Sequence, residues 1–474
     1  MSGVTDDMEE KYSCLENVIQ RINSQYISLD DKQIKINNKI IDAICTKLIN
    51  EMKEKDVLFK RLFKKIYCGG SFYDGLKITN PEEYDYDLLL ELPKLTTPLI
   101  STSSGHPGFV QIFVKNMEHF NNQEPTIAKE MKNLLLDDTN YLRADKLKSW
   151  LESMLDKVLS NFPTDKKFHT FVVDDKPYYF RKTKGGPAIT LHITESIGAP
   201  KSAIDIDLVP CFIFKDNHWP RGDNFRMNPS KIDSFFVVPK TPKAPSNLNT
   251  FWRLSFQQQE LELLSGKQSL KSALKLLKRF RDQRKHFSIS SYFIKTIFLW
   301  QIDEGGEDQR LWEQSQSVVF MKMLKTYLQY LEQECIPYFW NRDFNLLKHI
   351  KPVELANIKN ELAKIITKID RNLLDDPFII ARYFIPKVEE NQLRDNVSLG
   401  KKFDRPGPSN CDCLNRFGTL EESLKEISKK LDIIGIDQQI MKTLLERYTH
   451  EPMDADDRLR ELSKAANEFY NGLL

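Results

Sequence analysis

The stretch Tyr67-Cys68-Gly69-Gly70-Ser71, followed after a short spacer by Glu83-Tyr84-Asp85-Tyr86-Asp87, decides how the rest of the chain is read. Acids alternating with apolar rings predict a strand with one polar face. Side chains two apart on a strand share a face and lie roughly 7 Å apart at the backbone, so Glu83 and Asp85 can lean toward one point. Two like charges ~4 Å apart repel by roughly 4 kcal/mol at an effective dielectric of 20. Such a cluster calls for cations or hydrogen bonds to neutralise it, and oxygen-rich sites suit hard divalent ions. Upstream, the glycines let the backbone approach a phosphate and aim N–H groups at it, with the Ser71 hydroxyl as a further donor. The glycines alone fit a plain turn feeding an edge strand with a solvated acidic face. Turn and acidic strand together favour phosphate chemistry assisted by a pair of metal ions.

A second strand, Ala203-Ile-Asp-Ile-Asp-Leu-Val-Pro-Cys211, again puts acids two apart. Asp207 is read as completing a three-carboxylate cage with Glu83 and Asp85; Asp205, on the same face, is its rival. The competing reading is an edge strand with a polar face, with which Pro210 is consistent.

Around these strands the pattern is α+β. Apolar residues from Ile34 to Ile66 recur at helical spacing and predict one helix over Asp31 to Ile66, capped by Asp31. Uninterrupted, it would be a spine of roughly 54 Å. Lys53, Lys60 and Lys64 fall on one stripe of it, a solvated face or a surface for a phosphate backbone. A polar loop is expected over Lys94 to Gly108 and helical material over about Thr126 to Leu159. Strands follow at Phe168 to Val173, Tyr178 to Lys182, Ala188 to Thr194 and Ala203 to Phe214, read as an antiparallel run beside the first strand. Pro239 to Asn247 reads as a linker. Helices are then expected at Phe251 to Ser265, Ser269 to Lys285, Ser288 to Gln301, Leu311 to Glu334 and Val353 to Leu374, with a three-helix tail after the Asp404 to Asn410 break. The expected division is 1–240, a core with the spine helix; 241–400, a helical lobe; and 401–474, a helical tail. Lys271 to Lys285 carries seven basic residues against one acid, Asp282, and suits phosphates, a nucleic-acid backbone or water.

Composition narrows the classes. With 474 residues, 41% of them hydrophobic, the chain can bury more than one core. A net charge of +2 confines any nucleic-acid surface to a local patch. The polar start from Met1 to Lys11 lacks a signal pattern, and runs such as Leu208 to Phe214 are too short to span a bilayer, so no membrane role is expected. Seven scattered cysteines fit a reducing compartment, with a cytoplasmic location expected. Cys411 and Cys413 lie close together without a nearby histidine, and no zinc site is read from them.

Seven segments carry a resemblance in order: Gly69 to Ile78, Asn80 to Asp87, Lys184 to Leu191, Asp205 to Pro210, Trp252 to Phe256, Leu274 to Lys278 and Ser290 to Thr296. They are similar to segments of cyclic GMP-AMP synthase and its animal relatives, the cyclic GMP-AMP synthase-like receptors, over about Asp31 to Leu374. The resemblance implies a bilobed nucleotidyltransferase fold with a mixed sheet core, a spine helix and a helical C-terminal lobe. It also implies that duplex nucleic acid, bound on the spine side, orders the glycine-serine loop and switches on synthesis of a cyclic dinucleotide from ATP and GTP. By motif position, Glu83, Asp85 and Asp207 would be the catalytic carboxylates holding two Mg2+ or Mn2+ ions. Gly70 and Ser71 would grip triphosphate, Arg253 and Ser255 a base, Lys278 and Ser291 phosphates, and Tyr292 would stack on a base. The DNA-sensing vertebrate enzyme has a His-Cys-Cys-Cys zinc loop where this chain has only Leu264 to Ser269, so no zinc is expected. The chain resembles the insect-type members, which respond to double-stranded RNA. Such RNA is the expected activator in preference to DNA, with Lys53, Lys60 and Lys64 as its contacts and a dimer on nucleic acid as one assembly. A catalytically silent binding module and an RNA-tailing polymerase are the competing classes.

Overall fold

The computed structural model describes residues 11–398, apart from residues 79 and 307 and the segments 103–104, 198–203, 223–224 and 243–247. The expected helical tail lies outside the described residues, as do Ala203 and much of the expected linker. Among the described residues no helix is long and apolar enough to cross a membrane.

Early in the described residues lies α1 (Glu16–Ile22), which docks among the C-terminal helices. Tyr12 Oη donates to Asp370 Oδ1 at 2.6 Å, and Glu16 Oε2 accepts from Ser317 N at 2.7 Å. Next comes α2 (Asp31–Lys55), whose apolar face of Ile40, Ile41, Ile44, Leu48 and Met52 is buried. Asp30, not Asp31, caps it by accepting from Lys32 N.

The expected single spine to Ile66 is a correction. Asp56 takes an extended backbone, φ −135° and ψ 110°, and its side chain accepts from Phe59 N at 2.8 Å and from Trp150 Nε1 at 2.9 Å. A capping aspartate starts a new helix more favourably than it continues an old one. A short α3 (Val57–Leu62) follows, and then β1 (Phe63–Gly69), which carries Lys64.

After the one-turn α4 (Gly70–Tyr73) and β2 (Glu83–Leu90), the expected loop contains β3 (Pro98–Thr102), which pairs with β4 (Phe109–Val114). Helices α5 (Met117–Gln123), α6 (Pro125–Leu134) and α7 (Ala144–Leu159) come next, the last two separated by a turn in which Asp137 Oδ1 accepts from three donors. Strands β5 (Thr164–Asp165), β6 (Phe168–Val173), β7 (Lys176–Gly185), β8 (Ala188–Thr194), β9 (Ile204–Lys215), β10 (Ser234–Val238) and β11 (Phe251–Ser255) complete one sheet of eleven strands.

Two strand assignments differ from expectation. The run β6-β7-β8-β9 is antiparallel, but β9 meets β2 in parallel, from Glu83 opposite Asp205 to Leu90 opposite Phe212. The competing reading of β9 as an edge strand does not hold: β2 runs along one side, while β8 pairs up to Leu208 and β10 from Phe212. Pro210 sits in the gap where β9 exchanges β8 for β10, where its missing N–H is tolerated. Phe251 to Ser255, expected as helix, is a strand between β10 and β4, consistent with its aromatic, half-buried pattern.

The helical region follows: α8 (Gln257–Leu264), α9 (Leu270–Gln283), α10 (Ser291–Gly305), α11 (Gln316–Glu332) and α12 (Pro352–Asn372). Ser290 caps α10 by accepting from Phe293 N, so the helix begins at Ser291, three residues later than the sequence suggests. Ile289, Thr296, Ile297 and Trp300 are buried as the apolar stripe requires, with Phe293 half-buried.

Candidate active site

Period-two patterning builds the site. On β2, Tyr84 and Tyr86 are buried, while Glu83 is exposed and Asp85 half-buried on the opposite face. On β9, Ile204, Ile206 and Leu208 are buried, while Asp205 and Asp207 are half-buried. The parallel register sets Glu83 beside Asp205 and Asp85 beside Asp207. Neighbouring strands lie about 4.8 Å apart, so four carboxylates share one patch of one face.

Gly70 closes the patch from above. Its φ is +74°, and a Cβ at that position would lie 1.8 Å from Asp85 Oδ2. Only glycine permits both the left-handed backbone and this approach of the turn to the carboxylate. The turn is pinned by Asp74 N to Gly70 O at 3.0 Å and Leu76 N to Ser71 O at 2.8 Å. Phe72 packs on Tyr84, and the hydroxyls of Tyr73 and Tyr86 meet at 2.8 Å. The turn therefore rests on the buried face of the same strand that carries the acids.

The carboxylates are not alike. Burial, and then the charges of Asp207 and Glu83, push Asp85 up to about 6. Burial pushes Asp87, which accepts a hydrogen bond from Gln257 Nε2, up to about 7. Glu83 Oε2 accepts from Lys77 Nζ at 2.6 Å. Asp207 Oδ1 accepts from Thr190 Oγ1 at 2.5 Å, and Asp205 Oδ1 shares a hydrogen bond with His192 Nδ1 at 2.8 Å.

The donor set can be tested against a divalent pair. Among the described residues no group of three or more His, Cys, Asp or Glu side chains already converges as a metal cage. Glu83 is engaged by Lys77 and Asp207 by Thr190, on the same face of the sheet as Asp85. The residue types fit hard cations, and Asp85 is raised first by burial and then by the charges of Asp207 and Glu83, a penalty that a bound cation would relieve. The residues present therefore fit such ions in kind and in register.

The other predicted residues divide. Arg253 and Ser255 are half-buried on β11, with the Arg253 guanidinium 5.7 Å from the Phe109 ring centroid and 5.9 Å from that of Tyr338. Ser291 is exposed in the first turn of α10. Tyr292 Oη donates to Glu260 Oε1 at 2.8 Å. Lys278 is buried, and its Nζ donates to Leu76 O at 2.6 Å; burial, and then Arg281, lower it to about 8.

Much of the basic run around Lys278 is likewise occupied internally. Arg279 donates to Phe384 O, Arg281 to Ile289 O and Asp282, and Arg284 to Glu361. The lysine stripe also breaks up. Lys60 is exposed on α3, Lys53 Nζ lies 4.8 Å from the Phe63 ring centroid, and Lys64 on β1 pairs with Glu91 at 2.9 Å.

Residues that sequence reading missed are Lys77, Thr190 and His192, which hold Glu83, Asp207 and Asp205, Gln257, which holds Asp87, and the buried set Asp74, Glu260 and Lys295. Thr190 and His192 alternate on β8 opposite the acids of β9, a cross-strand signal visible once the register is known.

Comparison with known proteins agrees with this architecture. The chain matches the Mab-21 protein nucleotidyltransferase domain over residues 72–266 and the Mab-21 protein HhH/H2TH-like domain over residues 269–364. It is 39% identical over 406 residues to a cyclic GMP-AMP synthase-like receptor of Aethina tumida, covering 85% of this chain and 99% of that protein. A cyclic GMP-AMP synthase-like receptor of Tribolium castaneum is 37% identical over 380 residues, 79% of this chain and 93% of its own. Another, from Trichogramma pretiosum, is 30% identical over 397 residues, 83% and 80%.

Proposed function

The chain belongs to the cyclic GMP-AMP synthase-like receptor family and is a nucleotidyltransferase, and from that premise we propose that it makes a cyclic GMP-AMP type dinucleotide from ATP and GTP. In this reading it acts in the cytoplasm, is switched on by double-stranded RNA and serves antiviral defence. The observation that carries the catalytic part is the parallel register of Asp85 with Asp207 beneath a turn that only Gly70 can make.

Glu83, Asp85 and Asp207 would hold the ions, with Asp205 the rival third ligand. Two Mg2+ or Mn2+ ions would supply activation of a ribose hydroxyl and charge neutralisation for departing pyrophosphate. The chain's own groups do the positioning. Backbone N–H groups after Gly70 and the Ser71 hydroxyl face a triphosphate laid across the acids. Arg253 and Tyr292 present flat surfaces to the bases, and Ser291 offers a hydroxyl at a helix start. Lys278 donates one of its three N–H groups to the Leu76 carbonyl and keeps two for a phosphate, which would tie that phosphate to the segment after the turn. The hydroxyl oxygen of one nucleotide attacks the α-phosphorus of the other, its bond to the β-phosphate breaks, and the exchange repeats to close the ring.

For the activator, exposed Lys60 and the neighbouring Lys53 support an electrostatic surface along α2 and α3. The test is incubation of the purified protein with ATP, GTP, either metal and double-stranded RNA, with products identified by mass spectrometry. A cyclic dinucleotide that requires RNA is the expected result. Chain extension, or no product with any duplex, rules the proposal out.

A further inference from the structure

Three buried charges join the phosphate turn to the helical region, and the reaction as described does not use them. Lys295 Nζ, on α10, donates to Asp74 Oδ2 and Glu260 Oε2, both at 2.9 Å. The side chains of Asp74 and Glu260 are each 6% exposed, that of Lys295 11%. Burial alone would lower Lys295, but Glu260 and Asp74 more than offset it, and the ammonium is held above its ordinary range.

Each end of this triad has a neighbour in the candidate site. Asp74 terminates the one-turn helix that bears Gly70 and Ser71, its N–H bonded to Gly70 O. Glu260 Oε1 accepts from Tyr292 Oη at 2.8 Å and Trp340 Nε1 at 2.9 Å. Tyr292 lies three residues before Lys295, on the same face of α10.

Stability alone is a poor account of the arrangement. It buries two carboxylates against one ammonium, and Asp74 Oδ1 has no hydrogen-bond partner. Buried ion pairs give little net stability, and an unpaired buried oxygen costs free energy. We propose that Asp74 is a positioning residue, which through Lys295 and Glu260 fixes the triphosphate turn relative to Tyr292, so that phosphate and base are gripped at a set separation.

This inference rests on the site reading above, and its test separates the two. Asp74→Asn keeps the shape, leaves Lys295 paired one-to-one with Glu260 and cuts only the ionic tether. Binding of ATP with Mg2+ is measured by calorimetry alongside the melting temperature and the KM and kcat of product formation. The expected result is weaker ATP binding and a higher KM by about tenfold, with kcat at saturation far less affected and melting nearly unchanged. Lys295→Met should give the same KM effect together with a lower melting temperature, because it leaves two buried carboxylates uncompensated. ATP binding and KM unchanged in Asp74→Asn overturn the tether and leave the site standing. Failure of the wild-type protein to bind ATP overturns the site reading, and the tether with it.

Discussion

Two charged patterns stand out in this chain, the acids of β2 and β9 and the lysines running from α2 to β1, and the structure treats them differently. The acids keep their spacing because both strands run through the interior and burial of their apolar faces fixes which way the acids point. The lysines lie opposite apolar faces that are also buried, but one capping residue, Asp56, breaks the helix and moves Lys64 onto a strand. Charge periodicity is thus a reliable guide to geometry where one unbroken element carries it, and a weak one where a capping residue ends the element part-way, even though the opposite face is buried in both cases.

The sharpest break in that comparison comes from the acids. Asp85→Asn should lower product formation by on the order of a thousandfold with little loss of stability, since it removes a carboxylate whose burial is costly. Asp207→Asn should match it, while Asp205→Asn, which disturbs a residue held by His192, should cost about tenfold. Reversal of those last two would make Asp205 the third ligand.

Gly70→Ala is next. The added methyl meets Asp85 and demands a strained φ, so activity should fall roughly ten- to a hundredfold while circular dichroism stays that of the wild type.

The pH response is a smaller effect with a definite sign. Asp85's folded value lies above the ordinary carboxylate range. The stability gained by keeping it protonated is complete below that range and is lost as pH rises through about 6. A divalent ion competes with that proton, so added Mg2+ should raise the melting temperature more at about pH 7.5 than at about pH 5. Equal shifts at both values would detach the ion from Asp85.

The lysine side of the comparison carries the smallest expected effect. Lys53→Glu with Lys60→Glu should weaken duplex RNA binding by roughly fivefold and flatten its salt dependence, leaving RNA-independent properties alone. An unchanged salt slope would remove this surface from RNA recognition.

The fold was legible where burial imposes a period. Phe168 to Val173 and Ala188 to Thr194 form strands with the expected bounds, and the helices around Leu276 and Ile365 lie near their expected positions. It was not legible where a single side chain redirects the backbone, as at Asp56, or where strand and helix share an aromatic-rich signature, as at Phe251 to Ser255. The parallel pairing of β2 with β9 was also out of reach, because it joins residues more than a hundred positions apart and leaves no local mark. The same limit hid the partners of the acids: Lys77 is near Glu83 in sequence, but Thr190, His192 and Gln257 meet their carboxylates only through the sheet. Lys278, whose motif suggests a phosphate, likewise has a partner that no local pattern announces, the Leu76 carbonyl.

The most direct test of the metal-centred account is anomalous diffraction from crystals soaked with Mn2+ and ATP. The account predicts two peaks above β2 and β9, with carboxylate oxygens of Asp85 and of a β9 aspartate about 2.1 Å from manganese. Peaks only elsewhere, or a bound triphosphate with no metal at those carboxylates, would contradict it.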